Sequence, residues 1–222
     1  MRKSKIRTFF SEWFIFILIV LGGILLVYQL FYVKNNPSQN LNLINQDYSD
    51  DWSLGNKDAK LVLVYYSDFE CPACAYYHQF LDKLLIDFKD QILIIFRHFP
   101  LPNHLKSKDL AYAAEAAGKQ NKFWEMADLI FKNQSKLVQS RNLEKDIIDL
   151  AVLLNLDIDK FKTDLVSKEV KNKVEENYLE ALKMNLRGTP SFFLNGKRIY
   201  PPSNYIEFKE FLQKQIDGLN SN

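Results

Sequence analysis

Two cysteines separated by two residues, Cys71 and Cys74, are the side chains of this sequence whose type and spacing are best suited to chemistry. They are the only cysteines in the 222-residue chain. A Cys-x-x-Cys pair can alternate between a dithiol and a disulfide and exchange with other disulfides. The thiolate is the reactive form, and an ordinary cysteine with a pKa of about 8.5 is mostly protonated near neutral pH. The pair therefore needs surroundings that stabilise a thiolate.

The elements predicted around the pair supply such surroundings. Residues 61–66 form a continuous apolar run that predicts a buried β-strand. From Tyr77 to Phe88 apolar residues recur every three or four positions, which predicts a helix with one buried face. Cys71 then lies at the start of this helix, where unpaired amides and the helix dipole favour a thiolate. Pro72 suits the first turn because no hydrogen bond is lost there.

The two cysteines are predicted to have different roles. Cys71, acidic and partly exposed, is the candidate nucleophile. Cys74, one turn further along the helix, is the resolving partner that closes a disulfide with Cys71 or releases a bound substrate. Pro72 and Ala73 lie between them and position the pair.

Zinc binding and a purely structural disulfide are the other interpretations of a Cys-x-x-Cys pair. A zinc site needs a second pair of ligands at similar spacing, whereas the three histidines, His78, His98 and His104, are scattered. His78 is predicted on the polar side of the first helix, and surface or capping roles are expected for all three. We therefore predict redox chemistry with no metal and no cofactor.

The N-terminal segment predicts a membrane anchor. Residues 13–33 are uncharged and rich in Phe, Ile, Leu and Val, and a helix of that length spans roughly the 30 Å of a hydrocarbon core. Basic residues precede this segment, so the positive-inside rule places residues 1–12 in the cytoplasm and the rest outside. A cleaved signal peptide is the alternative, but the apolar stretch is long and no small-residue cleavage pattern follows it. The oxidising exterior suits a dithiol/disulfide pair.

Composition limits the remaining possibilities. The formal net charge of +2 at pH 7 gives no support for nucleic-acid binding. Residues 34–51 are rich in Asn, Gln, Ser and Asp, which predicts a linker too short for a dimerisation domain. The stretch 52–222 is long enough to bury one substantial core, so a single domain is expected.

After the first helix, the predicted elements follow in the order strand, helices, hairpin, helix. Residues 91–97 predict a second buried strand, and apolar stripes between about 103 and 184 predict several helices. Two short strands joined by an Asn-Gly pair at residue 195 predict a hairpin. Ser203 or Asn204 is expected to cap a final helix.

In four of its segments the chain resembles the DsbA-like thiol:disulfide oxidoreductases of the thioredoxin superfamily, in their membrane-anchored form. The segments that carry the resemblance are Tyr66 to Cys74, Arg97 to Leu101, Lys122 to Met126 and Gly188 to Gly196. The resemblance implies an α/β thioredoxin fold with an inserted helical domain, preceded here by one N-terminal transmembrane helix. The organisation would be a cytoplasmic tail at 1–12, a transmembrane anchor at 13–33, a linker at 34–51 and a DsbA-like domain at 52–222 with the helical insertion at about 103–184.

The resemblance also implies roles for residues near the cysteines. The proline of the Gly-Thr-Pro segment is cis in that family and faces the active disulfide, so Pro190 is expected to position the active site. The backbone of Thr189 would then lie beside Cys71, where an extended substrate can pair with it.

Two positions depart from the family pattern. Ala73 stands where strongly oxidising members have a histidine that helps stabilise the thiolate, so the pKa of Cys71 is expected below its ordinary value but less depressed. Tyr65 stands six residues before the first cysteine, where thioredoxin-like proteins often bury a carboxylate that handles the proton of the resolving thiol. Asp68 or Glu70 could substitute for that carboxylate, but both are expected to be surface carboxylates, which would oppose thiolate formation somewhat.

The sequence thus predicts an extracytoplasmic, membrane-tethered oxidase that donates its Cys71–Cys74 disulfide to secreted or envelope polypeptides. A membrane redox partner of the quinone-linked oxidase type would reoxidise it. The same dithiol could run as a membrane-tethered reductase, because thiol exchange permits either direction. The non-enzymatic alternatives are a metal carrier that uses the cysteine pair with a histidine, and a scaffold with a structural disulfide.

Overall fold

The structure is a computed structural model that describes residues 20–28 and 48–221. Residues 20–28 are helical and belong to a separate N-terminal unit. The predicted cytoplasmic tail, the predicted anchor on either side of 20–28, and the predicted linker up to residue 47 lie outside the described residues. Within the described ranges, no helix is both long enough and apolar enough to cross a membrane.

A five-stranded sheet with helices on both faces makes up residues 48–221. The strands are β1 (Trp52–Gly55), β2 (Leu61–Ser67), β3 (Ile92–His98), β4 (Ser191–Leu194) and β5 (Lys197–Ile199). The helices are α1 (Pro72–His78), α2 (Leu81–Phe88), α3 (Ser107–Gly118), α4 (Phe123–Lys132), α5 (Gln134–Gln139), α6 (Leu143–Leu153), α7 (Ile158–Leu165), α8 (Lys168–Lys183) and α9 (Tyr205–Asn220). A 3₁₀ turn (Lys89–Gln91) precedes β3.

The strand order in the sheet is β1-β3-β2-β4-β5, with β2 and β3 parallel and the other neighbours antiparallel. The two central strands are buried because both faces are covered, as their apolar sequences predict. Successive side chains of β2 point to opposite faces. Leu63 and Tyr65 pack into the larger core with α1 to α4 and α9, whereas Val64 and Tyr66 pack into a smaller core with α8. The mixed α/β thioredoxin-like fold with helical content is confirmed.

β1 is an edge strand that the sequence pattern did not predict. It pairs antiparallel with β3, with Trp52 opposite Phe96. Asp51, the last residue of the predicted linker, is buried next to it, and its Oδ2 lies 2.5 Å from Nη2 of Arg97. A buried guanidinium needs an anionic partner, and Glu180 on α8 supplies a second one at 3.0 Å. The folded unit therefore includes Asp51.

The helix predicted from the apolar period after the cysteines is two helices, α1 and α2. α1 ends at His78, and Phe80, which precedes α2, is buried against the ring of Tyr205 with centroids 5.5 Å apart. Because the chain turns between the two helices, side-chain directions inferred from one continuous period do not hold in α1.

The hairpin and the final helix cap follow the sequence expectation. Asn195 and Gly196 adopt positive φ angles of 46° and 78°, as a tight turn between β4 and β5 requires. The side chain of Asn204 accepts a hydrogen bond from the backbone N–H of Glu207 at 2.9 Å, so Asn204 is the cap of α9. The helices α3 to α8 occupy the chain between β3 and β4, where several helices were predicted.

α3 packs closely against the sheet edge where its last residue, Gly118, meets Trp52. A β-carbon at Gly118 would overlap the indole ring. The ring also stacks on Phe123 with centroids 4.6 Å apart, and its Nε1 donates to Glu115 at 2.8 Å. His98 lies 2.8 Å from the same carboxylate and is 1% exposed, so its predicted surface role is wrong. A buried carboxylate and a buried imidazole satisfy each other here.

Candidate active site

The two cysteines lie at the junction of β2 and α1. β2 ends at Ser67, and Cys71 is the N-cap of α1 with Pro72 in the first turn, as predicted. Both sulfurs are thiols in this structure. Cys71 is only 7% exposed and Cys74 only 1%, so Cys71 is buried and not partly exposed as expected. Pro72 and Ala73, by contrast, are exposed.

The surroundings of Cys71 stabilise its thiolate. A hydrogen bond from Cys74 is the largest effect, and it lowers the pKa of Cys71 to about 5 against the opposing effect of burial. The hydroxyl of Thr189 and the backbone amides of Ala73 and Cys74 lower the pKa further. These amides are the unpaired donors of the first helical turn, so the direction of the shift agrees with the sequence argument.

Cys74 is held in the opposite state. Burial is the main cause that raises the pKa of Cys74 well above its usual range, and the hydrogen bond and charge of Cys71 raise it further. Its Sγ accepts a hydrogen bond from the backbone N–H of Asp68 at 3.4 Å. At neutral pH the dithiol is therefore a thiolate at Cys71 and a thiol at Cys74, which is the arrangement of a nucleophile with a resolving partner.

The segment before β4 lies against Cys71. The Thr189–Pro190 peptide bond is cis, as the resemblance implied. In the thiol form, Cys71 Sγ donates to the Thr189 carbonyl at 3.3 Å. The Thr189 hydroxyl is buried and has no hydrogen-bond partner in this state, which leaves it available to a thiolate.

Asp68 is at the centre of a buried network, so its predicted surface position is wrong. Its carboxylate accepts hydrogen bonds from the backbone N–H groups of Glu70 and Leu101, each at 2.7 Å, and from Ser107 Oγ at 2.5 Å. His104 Nδ1 lies 2.8 Å away, so His104 also has an inward-facing role. We call these five residues the Asp68 network. It fixes the loop that leads from β2 into Cys71, because a buried carboxylate is stable only when its oxygens are satisfied.

His78 is buried, and its predicted position on the polar side of the helix is wrong. Its Nε2 lies 2.6 Å from Asp128 Oδ1 on α4, and its Nδ1 lies 3.3 Å from the hydroxyl of Tyr65 on β2. Spacing within α1 contained a signal for this arrangement. Residues four apart lie on one helix face, so a buried Cys74 brings His78 inward with it.

The side chains that can bind a metal do not form a cluster in the described part of the chain. Across residues 20–28 and 48–221, no group of three or more His, Cys, Asp and Glu side chains could hold a metal ion. The site contains the two sulfurs, the Thr189–Pro190 segment, the Asp68 network and the pair of His78 and Asp128.

A profile of the thioredoxin family matches residues 48–214, which include both cysteines and the cis proline. The chain belongs to the thioredoxin family. Its thioredoxin fold is similar to oxidised BdbD from Bacillus subtilis at 25% identity and a TM-score of 0.67, over 77% of this chain and 95% of that one. Two more distant structures share the fold. They are the thiol-disulfide exchange protein alpha-DsbA2 from Wolbachia pipientis (17% identity, TM-score 0.66, 81% and 95% covered) and the catalytic domain of Proteus mirabilis ScsC (19%, 0.65, 81% and 96%).

The curated relatives of this thioredoxin-family chain are much longer proteins. The Na(+)/H(+) antiporter NhaA 1 of Mycobacterium sp. (strain KMS) is 39% identical over 155 residues, which are 68% of this chain and 24% of that protein. The Na(+)/H(+) antiporter NhaA of Herminiimonas arsenicoxydans is 37% identical over 145 residues, 65% of this chain and 22% of that protein. The chain thus spans about a quarter of the length of the curated relatives it matches. The fold and the structural matches together support a protein-disulfide oxidoreductase.

Proposed function

We propose that this thioredoxin-family protein is an extracytoplasmic, membrane-tethered thiol:disulfide oxidase. Cys71 and Cys74 form its exchanging pair, and it donates their disulfide to cysteine-containing polypeptides that are secreted or belong to the envelope. In each cycle the substrate dithiol loses two electrons and two protons. The protein disulfide takes up both electrons and one proton to become the Cys71 thiolate and the Cys74 thiol, and the second proton is released to solvent.

The position of Cys71 at the start of α1, beside the Cys74 thiol and the Thr189 hydroxyl, is the observation that carries the oxidase direction. These donors lower the pKa of Cys71 to about 5, so the reduced protein is stabilised as a thiolate at neutral pH. A disulfide whose reduced form is stabilised is a stronger oxidant, because opening it releases that stabilisation. The high pKa of Cys74 prevents a second thiolate from competing for the same donors.

The surface around Cys71 fits an extended polypeptide as the substrate. The Thr189 carbonyl is within 3.3 Å of the sulfur, and β4 continues from Pro190 as a strand. A substrate strand can pair with this backbone while its cysteine reaches Cys71, and main-chain pairing tolerates many sequences. Pro72 and Ala73 are exposed beside the sulfur and carry no charge, so they leave the approach open.

The membrane location rests on the sequence and is supported by the relatives. Residues 13–33 have the length and composition of an anchor, with basic residues before them. The matched relatives are named as antiporters, so in them a domain of this kind belongs to a membrane protein. A tethered thioredoxin domain outside the cytoplasm would be reoxidised by a membrane redox partner, of the quinone-linked type, that accepts its two electrons.

The reduction potential of the purified chain, equilibrated against glutathione, tests the direction. A potential at or above that of protein disulfide isomerase, about −180 mV, is expected for an oxidase. A potential near that of thioredoxin, about −270 mV, would overturn the oxidase proposal in favour of a reductase.

Two further measurements test the rest of the proposal. Cys71→Ser and Cys74→Ser variants are expected to lose disulfide transfer to a reduced peptide. Metal titration of the wild-type chain against these variants would expose a carrier, because only the wild type would then bind metal tightly, and without thiol exchange. In intact cells, a membrane-impermeant alkylating reagent is expected to label Cys71 after mild reduction. Labelling only after lysis would contradict the extracytoplasmic location.

A further inference from the structure

The resolving cysteine, Cys74, has no solvent contact through which to exchange a proton. Its side chain is 1% exposed, and burial raises the pKa of its thiol well above the usual range. When the Cys71–Cys74 disulfide opens, Cys74 Sγ leaves with the bonding electron pair and must gain a proton, and when the disulfide closes it must lose one. A thiolate in such a place is costly without a nearby proton donor.

Tyr65, His78 and Asp128 form a hydrogen-bonded chain from the surroundings of Cys74 to the surface, which we call the His78 chain. The Tyr65 hydroxyl lies 3.3 Å from His78 Nδ1, and His78 Nε2 lies 2.6 Å from Asp128 Oδ1. Tyr65 is 1% exposed and His78 8%, whereas the Asp128 side chain is 38% exposed. The three residues come from β2, α1 and α4, so folding alone brings them together.

The buried end of the His78 chain responds to the charge of Cys74. Burial is the main cause that raises the pKa of Tyr65 well above 10, and the negative charges of Cys74 and Asp128 raise it further. Tyr65 therefore does not ionise alone near neutral pH. Its hydroxyl can pass a proton on only as it receives another.

We propose that the His78 chain is the proton path of Cys74, a role that rests on the proposed thiol:disulfide exchange at Cys71 and Cys74. Tyr65, His78 and Asp128 make no direct hydrogen bond to either sulfur, so they are relay and positioning residues.

Proton and electron movements balance along this path. When the disulfide closes, the electron pair of Cys74 Sγ forms the bond to Cys71 Sγ while its proton moves towards Tyr65, and Tyr65 passes its own proton to His78 Nδ1. The imidazolium then releases a proton to solvent on the Asp128 side. When the disulfide opens, one proton moves the opposite way. The hydrogen bond to Asp128 keeps a proton on Nε2 of the neutral ring and leaves Nδ1 as the acceptor.

The charged and titratable groups around His78 lie on β2, on α4 and on α1 itself. Tyr65 faces it from β2, Cys74 lies one turn away on α1, and Asp128 faces it from α4. Burial raises the pKa of Asp128, but the hydrogen bond and charge of His78 and the charge of Lys132 outweigh it and hold that pKa below its ordinary value. Asp128 is thus a carboxylate at neutral pH and can accept the hydrogen bond from His78 Nε2.

Ser67 supplies the last link between Cys74 and Tyr65. Ser67 is 1% exposed, its hydroxyl has no hydrogen-bond partner, and its side chain leaves the same face of β2 as that of Tyr65. It is close enough to Cys74 to oppose the rise in pKa that burial of this thiol causes. We therefore assign the link between Cys74 and Tyr65 to the Ser67 hydroxyl, which can donate one hydrogen bond and accept two.

A two-phase reaction of the reduced full chain with dithiobis(nitrobenzoate) separates the two cysteines. In the first phase the Cys71 thiolate attacks the reagent, the reagent S–S bond breaks and one nitrothiobenzoate anion leaves. In the second phase Cys74 loses its proton and attacks Cys71 Sγ, the mixed disulfide breaks and a second anion leaves. This anion needs no proton at neutral pH, so the second phase reports proton loss from Cys74. Stopped-flow absorbance follows both phases.

Three conservative variants give the comparison. Tyr65→Phe removes only the relay hydroxyl and is expected to slow the second phase by about tenfold or more at neutral pH. Asp128→Asn removes the carboxylate at the solvent end and is expected to slow it by a smaller factor. Tyr77→Phe is the matched control, because its hydroxyl lies on α1, the helix that carries Cys74 and His78, but donates to the carbonyls of Pro201 and Pro202. Both phases are expected to be unchanged in the control.

The pH profile of the second phase is the readout that a purely structural role would not move. If the relay removes the proton, the rate of the second phase in the wild type rises less than tenfold for each unit of pH. In Tyr65→Phe, hydroxide must remove the proton directly, so the rate of the second phase rises about tenfold for each unit. A second phase with wild-type rate and profile in both Tyr65→Phe and Asp128→Asn, with the first phase intact, would overturn the relay and leave the proposed function standing. Absence of the first phase in the wild-type chain would overturn the proposed function itself.

Discussion

Two histidine–carboxylate pairs near the cysteines are built in opposite ways. In the Asp68 network the carboxylate is completely buried and its histidine, His104, is 22% exposed. In the His78 chain the side chain of the histidine is 7% exposed and that of its carboxylate partner, Asp128, is 38% exposed. The first arrangement surrounds a charge with fixed donors, whereas the second connects a buried ring to solvent. The same residue types thus hold a loop in one place and provide a proton path in the other.

Removing the buried carboxylate of Asp68 should lower the free energy of unfolding most. Asp68→Ala leaves two backbone N–H groups and Ser107 without their acceptor, and each unsatisfied buried donor costs about 1–3 kcal/mol. We expect the free energy of unfolding, measured by urea denaturation, to fall by about 3 kcal/mol or more. Asp128→Ala should cost less than about 1.5 kcal/mol, because its carboxylate is partly solvated. Equal losses would remove the distinction between the two pairs.

Acid should weaken the contribution of Asp128 to the free energy of unfolding in a defined pH window. Its folded-state pKa lies below the unfolded value, because the hydrogen bond of His78 outweighs burial. The resulting stabilisation is fully present above the unfolded pKa of about 3.9 and is lost as pH falls through the lower folded pKa. The difference in unfolding free energy between wild type and Asp128→Asn should therefore be constant above about pH 5 and shrink below about pH 4. A difference that stays constant to pH 3 would show that packing, not charge, accounts for it.

The acidity of Cys71 should be independent of both histidine pairs. Alkylation rates are expected to follow a titration with a midpoint near the pKa of about 5. Thr189→Val removes one hydroxyl that stabilises the thiolate and should raise that pKa by about half a unit, which is roughly a threefold change in the thiolate-to-thiol ratio. Asp128→Asn should leave the midpoint in place. A midpoint that moves with Asp128 instead would assign the acidity to the His78 chain.

The smallest effect on stability is expected at Ser67. Its hydroxyl is buried but makes no protein hydrogen bond, so Ser67→Ala should change the free energy of unfolding by less than about 1 kcal/mol. Ser107→Ala is the matched control, since its equally buried hydroxyl donates to Asp68 at 2.5 Å and its loss should cost about 1.5–3 kcal/mol. Comparable losses in urea denaturation would show that Ser67 has a partner of equal strength.

Local rules predicted the parts of the site that lie close together in sequence. The position of Cys71 at a helix start followed from an apolar run, a change of period and Pro72, all within a few residues. The turn at Asn195 followed from the demand for positive φ angles. In both cases the backbone geometry is set by neighbouring residues, so a single sequence contains enough information.

The two histidine–carboxylate pairs depend on contacts that a single sequence does not specify. His78 and Asp128 are 50 residues apart, and Asp68 and His104 are 36 apart. Hydrophobic period placed His78 on a polar face because it treated α1 and α2 as one helix. The break before Phe80 changes the face that α1 buries. Such polar residues become internal only when a distant partner satisfies them, and that partner is known once the fold is known.

The lack of a side chain at Gly118 couples the residues that positions 52 and 118 can accept. Trp52 fills the volume that any larger residue at 118 would occupy, and through its ring the end of α3 is coupled to the edge of the sheet. Homologous chains are thus expected to show covariation here: a lineage that replaces Gly118 must also shrink residue 52. Such a lineage would lose the indole hydrogen bond to Glu115 and leave His98 as the remaining partner of that carboxylate.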